Sequence, residues 1–363
     1  MPADDRFYFA ICQAGVEWAL KEEVAQCWPQ LTFAFSRPGF VTFKAPAESD
    51  DTVWLTGSVF ARTHGRSLGK VTGDDPQELA KSAWQFAAEE KFHHLHVWQR
   101  DRALPGERGF EPGSSAEMDQ LGRTLAIASG GRVAETIPVN QVAVAGQRVL
   151  DCVLVEPNQW WLGSHTASST PQRWPGGVPK LTVSNEVISR AYLKTSEALL
   201  WSRLPATAGD QFVEIGCAPG GSCQALLERG YVVTGVDPAK VDPRLAAMPN
   251  FIHVQKRAQD LKRKEYADFP WLTADLNVDP THTLDTVEAI VGHRVVHTRG
   301  LLLTLKMLSR EMYGKISEYI SRVRAWGFED VRVRQLAFNR QEVCLAALRK
   351  RAMRRERTSR NRG

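Results

Sequence analysis

The chain has 363 residues, of which 43% are apolar and 24% charged, with a net charge of +5 at pH 7. These are ordinary globular values, and the length suits two or three folded units rather than one. No apolar run approaches the ~18 residues of a membrane span, and the opening MPADDRFYFA lacks the basic and apolar regions of a signal peptide. Cys12, Cys27, Cys152, Cys217, Cys223 and Cys344 are scattered without CxxC pairing. They read as reduced thiols, with no disulfide frame and no zinc site, in a cytoplasmic protein.

In chain order, FYFAIC is an apolar strand, and Gly15-Val16-Glu17-Trp18 leads into the amphipathic helix ALKEEVAQCW. LTFAF and FVTFKA follow as strands around a Pro38-Gly39 turn, so the start is a strand–helix–strand–strand α+β unit. Helices are expected at DPQELAKSAWQFAAEE and around SSAEMDQLGRTLAIASG. Strands are expected at HHLHVWQRD, QRVLDCVLVEP and WWLGSHTA, a second alternating module before residue 165. His94 and His96 share one strand face, but no third ligand cluster accompanies them. They and His93 read as exposed strand histidines, and no metal is expected. Trp160, Trp161 and Trp174 read mainly as packing residues. The first 180 residues hold 17 basic against 21 acidic side chains, so any nucleic-acid site there must be a local patch.

STPQRWPGGVPKLTVS, Ser169 to Ser184, holds three prolines and two glycines and reads as a linker. The other end of the chain is strongly basic: from Arg349 to Gly363 there are eight Lys/Arg against Glu356 alone. That stretch reads as a disordered, phosphate-binding arm.

The stretch from Phe212 to Pro238, FVEIGCAPGGSCQALLERGYVVTGVDP, reads as strand, glycine turn, helix and second strand. Glycines let the backbone approach a ligand, and the helix behind them offers unpaired N–H groups. Asp237 stands about 20 residues on, where a ribose diol is usually held. The spacing fits neither the dinucleotide fingerprint G-x-G-x-x-G nor a P-loop. With Glu214 before Gly216 and Pro219-Gly220-Gly221 behind it, the loop resembles the S-adenosylmethionine loop of the FtsJ-like ribose 2′-O-methyltransferases. The resemblance implies a class I, Rossmann-like methyltransferase domain with a seven-stranded sheet. Its cofactor-binding residues would be Glu214, Gly216, Cys217, Ala218, Pro219, Gly220, Gly221, Ser222, Asp237, Asp260 and Asp275. Asp260 follows the strand FIHVQ, and Ser222 stands where the family has an aromatic residue.

Four further segments match that family. ISRAYLKTSEALLWS resembles its S-R-A-x-x-K helix and carries Lys194, with Ser189 as the expected N-cap. WLTADLNVDP is a buried strand ending at Asp275, GLLLTLKML an apolar strand carrying Lys306, and NRQEVCLAALRK a strand opening at Glu342. A charge straight after five apolar strand residues is costly unless paired or at a rim. The resemblance makes Lys194, Asp275, Lys306 and Glu342 a catalytic tetrad with Lys306 as general base, which calls for a lysine pKa lowered from about 10.4 towards neutrality. No Asp/Asn-Pro-Pro-aromatic motif follows the Asp275 strand, and no cysteine is placed as a pyrimidine nucleophile, so a ribose oxygen is the best acceptor.

The C-Q-A-G-V-E-W start, GSVFAR and WWLGSHTASSTPQRWPGGVPKL, in that order before the methyltransferase segments, resemble the RlmM-type bacterial 23S ribosomal RNA ribose 2′-O-methyltransferases. This implies a ferredoxin-like unit at 1–50, a THUMP-like RNA-binding module at 51–168, the linker at 169–184, the methyltransferase domain at 185–350 and the basic tail at 351–363. It also implies a cytidine 2′-hydroxyl in 23S ribosomal RNA or a pre-ribosomal particle as substrate; a monomer is the expectation for the oligomeric state, which the sequence does not identify. Transfer RNA as substrate, and a non-catalytic RNA-binding protein retaining the cofactor fold, are the alternatives.

Overall fold

A computed structural model of the chain describes residues 6–46, 55, 57–87, 91–130, 137–168, 170–183 and 186–350. The basic tail at 351–363 therefore lies outside the described residues. The chain forms two compact units, Met1–Lys180 and Leu181–Gly363.

The first unit is built on one seven-stranded sheet. Its elements are β1 (Arg6–Ile11), α1 (Glu17–Cys27), β2 (Thr32–Arg37), β3 (Phe40–Ala45), β4 (Thr63–Thr72), α2 (Pro76–Phe86), β5 (His94–Gln99), α3 (Ala116–Ile127), β6 (Arg148–Glu156) and β7 (Gln159–Thr166). The strand order is β2-β3-β1-β4-β7-β6-β5, with only β5 and β6 parallel. Asp75 and Ser115 cap α2 and α3 by accepting from Gln77 N and Met118 N, and Leu79, Ala83, Trp84, Met118 and Leu125 of these helices enter the core with Leu95, Val97, Leu150 and Cys152. Gly39 turns the β2–β3 hairpin at φ +76°, and a Cβ there would lie 2.7 Å from the backbone of Asp101.

Two features of this unit depart from expectation or extend it. His94 and His96 are buried, at 6% and 0% exposure, rather than on an exposed strand face. Their Nε2 atoms bond Gln147 Oε1 and Gln141 O, and burial drives His96 down to about 3. That face packs against His165 and the segment carrying Gln141 and Gln147, which alternation alone cannot reveal. In the Pro/Gly-rich segment read as a linker, Pro171, Gln172, Pro175, Gly176 and Gly177 are buried. Arg62, in a buried bidentate pair with Asp101, donates its Nε to Gly176 O at 2.7 Å.

The second unit contains α4 (Ala191–Ser202), β8 (Gln211–Ile215), α5 (Gly221–Leu227), β9 (Val232–Val236), α6 (Pro243–Ala246), β10 (Phe251–Val254), β11 (Trp271–Ala274), α7 (Pro280–Val291), β12 (Gly300–Lys306), α8 (Arg310–Gly314), α9 (Ile316–Ala325), β13 (Asp330–Arg334) and β14 (Glu342–Leu348). They build the expected seven-stranded sheet, in the order β10-β9-β8-β11-β12-β14-β13. Five strands run parallel and β14 runs against them, pairing Lys306 with Glu342. Strands buried on both faces read as unbroken apolar runs, which is why GLLLTLK stood out. The order changes direction around β8, so the crevice beyond the carboxyl ends of β8, β9, β11 and β12 is where an open α/β sheet takes its ligand.

Candidate active site

Four side chains meet at that carboxyl edge, each delivered by a different element. Lys194 projects from the first turn of α4. Its helix does not begin as expected: α4 starts at Ala191 behind Arg190, with no side-chain cap, and Ser189 Oγ is buried without a hydrogen-bond partner. Asp275 follows β11, Lys306 ends β12 and Glu342 opens β14. Lys194 Nζ lies 2.7 Å from Asp275 Oδ2 and 3.2 Å from Glu342 Oε1. Lys306 Nζ lies 3.0 Å from Asp275 Oδ1 and 2.9 Å from Glu342 Oε1. The result is a closed ring of alternating charge, two ammonium groups and two carboxylates, with every side chain at 10–15% exposure.

The ring's electrostatics correct one expectation. Burial alone would raise Asp275 and Glu342, but Lys194 and Lys306 outweigh it and hold both carboxyls below their ordinary range. Burial pulls Lys306 down, yet the two facing carboxylates more than offset it, so its ammonium form is favoured. Lys306 is thus raised rather than lowered, because paired opposite charges at ~3 Å outweigh partial desolvation.

Below the ring is a void of about 10 Å³, bordered by Lys194, Thr195, Glu214, Ser222, Thr273 and Asp275. That is about one water in size. Glu214 is 1% exposed, contacts Thr273 Oγ1, and is pushed up to about 8, first by burial and further by the Asp275 charge. Ser222 Oγ lies 2.8 Å from Thr195 Oγ1. It ties α5 to α4, a role open to a small hydroxyl at the position where the family carries an aromatic residue.

The glycine loop closes over β8 and β9. Gly216 and Gly220 take φ of +80° and +125°, and the Ala218–Pro219 peptide is cis. A Cβ on Gly220 would sit 2.2 Å from Leu245 Cδ2, and one on Gly221 would sit 2.3 Å from Ser189 Oγ. Asp237, just past β9, accepts from Ala218 N at 3.1 Å and from Ala239 N at 2.8 Å. Each of its oxygens keeps a lone pair for a further donor such as a diol. Glu214, Cys217 and Ser222, at 1%, 3% and 5% exposure, turn their side chains into the protein. Cys217 fills the space left by Gly235, where a Cβ would meet its Sγ at 2.6 Å. Asp260 is exposed in a short turn after β10, and among the described residues no hydrogen bond or ion pair joins it to the loop or the ring.

One supporting residue escaped the sequence reading. Glu197, one turn beyond Lys194 on α4 and 4% exposed, accepts from Ala337 N and Phe338 N, both at 2.9 Å. It holds the connection between β13 and β14, from which Arg340 N donates to Glu342 Oε2 at 2.5 Å. A carboxylate three residues after a candidate catalytic lysine, inside an apolar helix, was the available signal.

Among the described residues no group of three His, Cys, Asp or Glu could hold a metal ion, and no helix is long and apolar enough to cross a membrane. Residues 187–332 match the family model described as FtsJ-like methyltransferase. A ribosomal RNA large subunit methyltransferase M from Hahella chejuensis is 26% identical over 64% of this chain and 59% of its own length. The protein of the same name from Pseudomonas entomophila is 27% identical over 47% of this chain and 50% of its own. The chain thus spans about half the length of the curated relatives it matches. The solved structure of TrmN from Thermus thermophilus covers 94% of this chain and 99% of its own, at 13% identity and a TM-score of 0.35. Residues 187–332, which hold most of the second unit's sheet, are thus similar to the FtsJ-like methyltransferases, enzymes that use S-adenosylmethionine.

Proposed function

We propose that the protein is an RNA ribose 2′-O-methyltransferase acting on large-subunit ribosomal RNA. The observation that carries this is the closed Lys194–Asp275–Lys306–Glu342 ring at the carboxyl edge of the sheet. A ribose hydroxyl is a weak nucleophile until its proton leaves, and the ring offers Lys306 as base in the fraction that has given up its own proton, with Lys194 as a cation to steady the developing oxyanion. In that neutral form Lys306 takes the ribose proton, Lys194 and Asp275 orient the ribose, and Glu342 fixes the spacing of the two lysines. When bound, S-adenosylmethionine supplies an electrophilic methyl group on a sulfonium. The residues fit such a group: the backbone from Gly216 to Gly221 curves over the strand ends without side chains in the way, and Asp237 has acceptor capacity for a diol. Most of the remaining rate would come from holding the oxygen in line with that methyl group.

The first unit is assigned, on this reading, the role of a THUMP-like module gripping structured RNA by shape and backbone. The names of the curated relatives, large-subunit ribosomal RNA methyltransferases, support ribosomal over transfer RNA, and the chosen nucleotide would be a cytidine. The test is methyl transfer from labelled cofactor to unmodified total RNA, followed by complete digestion. A 2′-O-methylcytidine from the large-subunit RNA is expected. Label confined to transfer RNA would move the substrate, and label on a base would overturn the ribose reading.

A further inference from the structure

The amino end of the same sheet carries a second, unassigned site. The run between α7 and β12 alternates: Val296 and Thr298 are buried, whereas His297 and Arg299 point outward with His293 and Arg294 before them. This loop, the end of α9 and the exit of β14 enclose an open groove of about 580 Å³, lined by Arg294, Arg299, Arg349, Trp326, His293 and His297. Glu288 also lines it, but its carboxylate is taken by Arg322, whose Nε lies 2.9 Å away. Arg294 and Arg299 are exposed, and their side chains make no hydrogen bond or ion pair among the described residues.

Arg349 is held differently. Its guanidinium lies 4.4 Å from the centre of the Phe328 ring, and its Nε donates to Thr298 O at 2.9 Å, which together fix the plane of the group at the groove. A fixed guanidinium fork matches a phosphate, and loses less entropy on binding one than a free arginine would. Two exposed arginines without a side-chain partner among the described residues, and a third whose plane is fixed, form a site for a phosphodiester chain. Beyond Lys350 the sequence adds six arginines against Glu356 alone, a charge pattern that favours a long polyanion over a small one.

We propose that this groove binds the backbone of the RNA substrate, as a contact separate from the catalytic edge. It rests on RNA being the substrate. Strand β12 links the two places: Lys306 is at one end and Gly300, next to Arg299, is at the other, ~20 Å away at about 3.3 Å per residue. An RNA that reaches both would be held across the thickness of the domain, so a short oligonucleotide covering only the target nucleotide would lose this contact.

The test uses the full-length chain and a fluorescent fragment of large-subunit RNA, with affinity measured over a salt series. Arg294→Glu/Arg299→Glu should weaken binding at least tenfold near 0.1 M salt and lower the slope of log K against log salt by about 1.4, for two lost phosphate contacts. Arg294→Lys/Arg299→Lys should keep the slope and lose only part of the affinity. Unchanged melting and cofactor binding would show both variants folded. Wild-type affinity and slope in the reversed variant would overturn the proposal. So would saturation of these arginines by inorganic phosphate without any effect on RNA binding. The two readings fail separately. RNA binding that depends on these arginines without ribose methylation sinks the proposed activity alone. Ribose methylation with binding indifferent to them sinks the groove alone.

Discussion

Lys306 faces two carboxylates within 3.0 Å, and that arrangement sets its pH behaviour. Its raised pKa means that pairing stabilises the fold below the ordinary lysine range, about 10.4, and that this contribution is lost as pH rises through the raised value. The lowered Asp275 and Glu342 contribute above the ordinary carboxylate range, about 4, and that contribution is lost as pH falls through their depressed values. Across neutral pH the ring is therefore fully paired. A base must be unprotonated, so the methylation rate should climb with pH along an alkaline limb. Glu342→Gln removes one of the two anions and should move that limb to lower pH by about 1–3 units, as read from a pH–rate profile at saturating substrates. Glu214 behaves in the opposite sense. Its folded pKa of about 8 lies above the ordinary value of 4.5, so its burial costs stability increasingly as pH rises from about 5 to 8. Glu214→Gln should flatten that decline in denaturant melts at pH 5 and pH 8.5, and an unchanged decline would place the cause elsewhere.

The supporting elements meet with little room to spare. Gly221 opens α5 against the residue before α4, where a Cβ would lie 2.8 Å from Ser189 O and 3.0 Å from Tyr192 N. Those are backbone atoms, so Gly221→Ala must displace the start of α4 and with it Lys194. The expected cost is about 1–3 kcal/mol of stability, with kcat falling more than cofactor affinity, as separate equilibrium binding and turnover measurements would show. Much of this was legible in sequence, because unbroken apolar runs ending in a charge mark parallel strands delivering residues to one edge. Asp275 and Lys306 stand out that way, whereas Lys194 and Glu342 were picked out only by the resemblance to the FtsJ-like methyltransferases. The start of α4 was not legible, since Tyr192 N and Leu193 N are taken by Ser189 O and Arg190 O in a tight turn and not by a Ser189 side-chain cap. Nor was the burial of His96, which depends on a segment 45 residues further on that covers its face, or the part of Glu197, whose partners lie 140 residues further on. Local patterns carry period and charge, whereas partners across the sheet are set by topology.

At the scale of the whole molecule, charge is unevenly placed. Residues 351–363 hold six arginines and one glutamate, which accounts for the entire net charge of +5 and leaves the first 350 residues neutral. Binding to a polyanion then depends on local clusters and on this terminal stretch. Ending the chain after Lys350 should lower RNA affinity and flatten its salt dependence, with cofactor binding unchanged; equal affinity and slope would assign the stretch another role. The central claim, that the ring around Lys306 removes the ribose proton, is tested most directly by one rate. Single-turnover methylation of unmodified large-subunit RNA should fall about 10²–10⁴-fold in Lys306→Ala, the usual worth of a general base, while cofactor and RNA affinities hold. A Lys306→Ala rate within a few-fold of wild type would contradict the account.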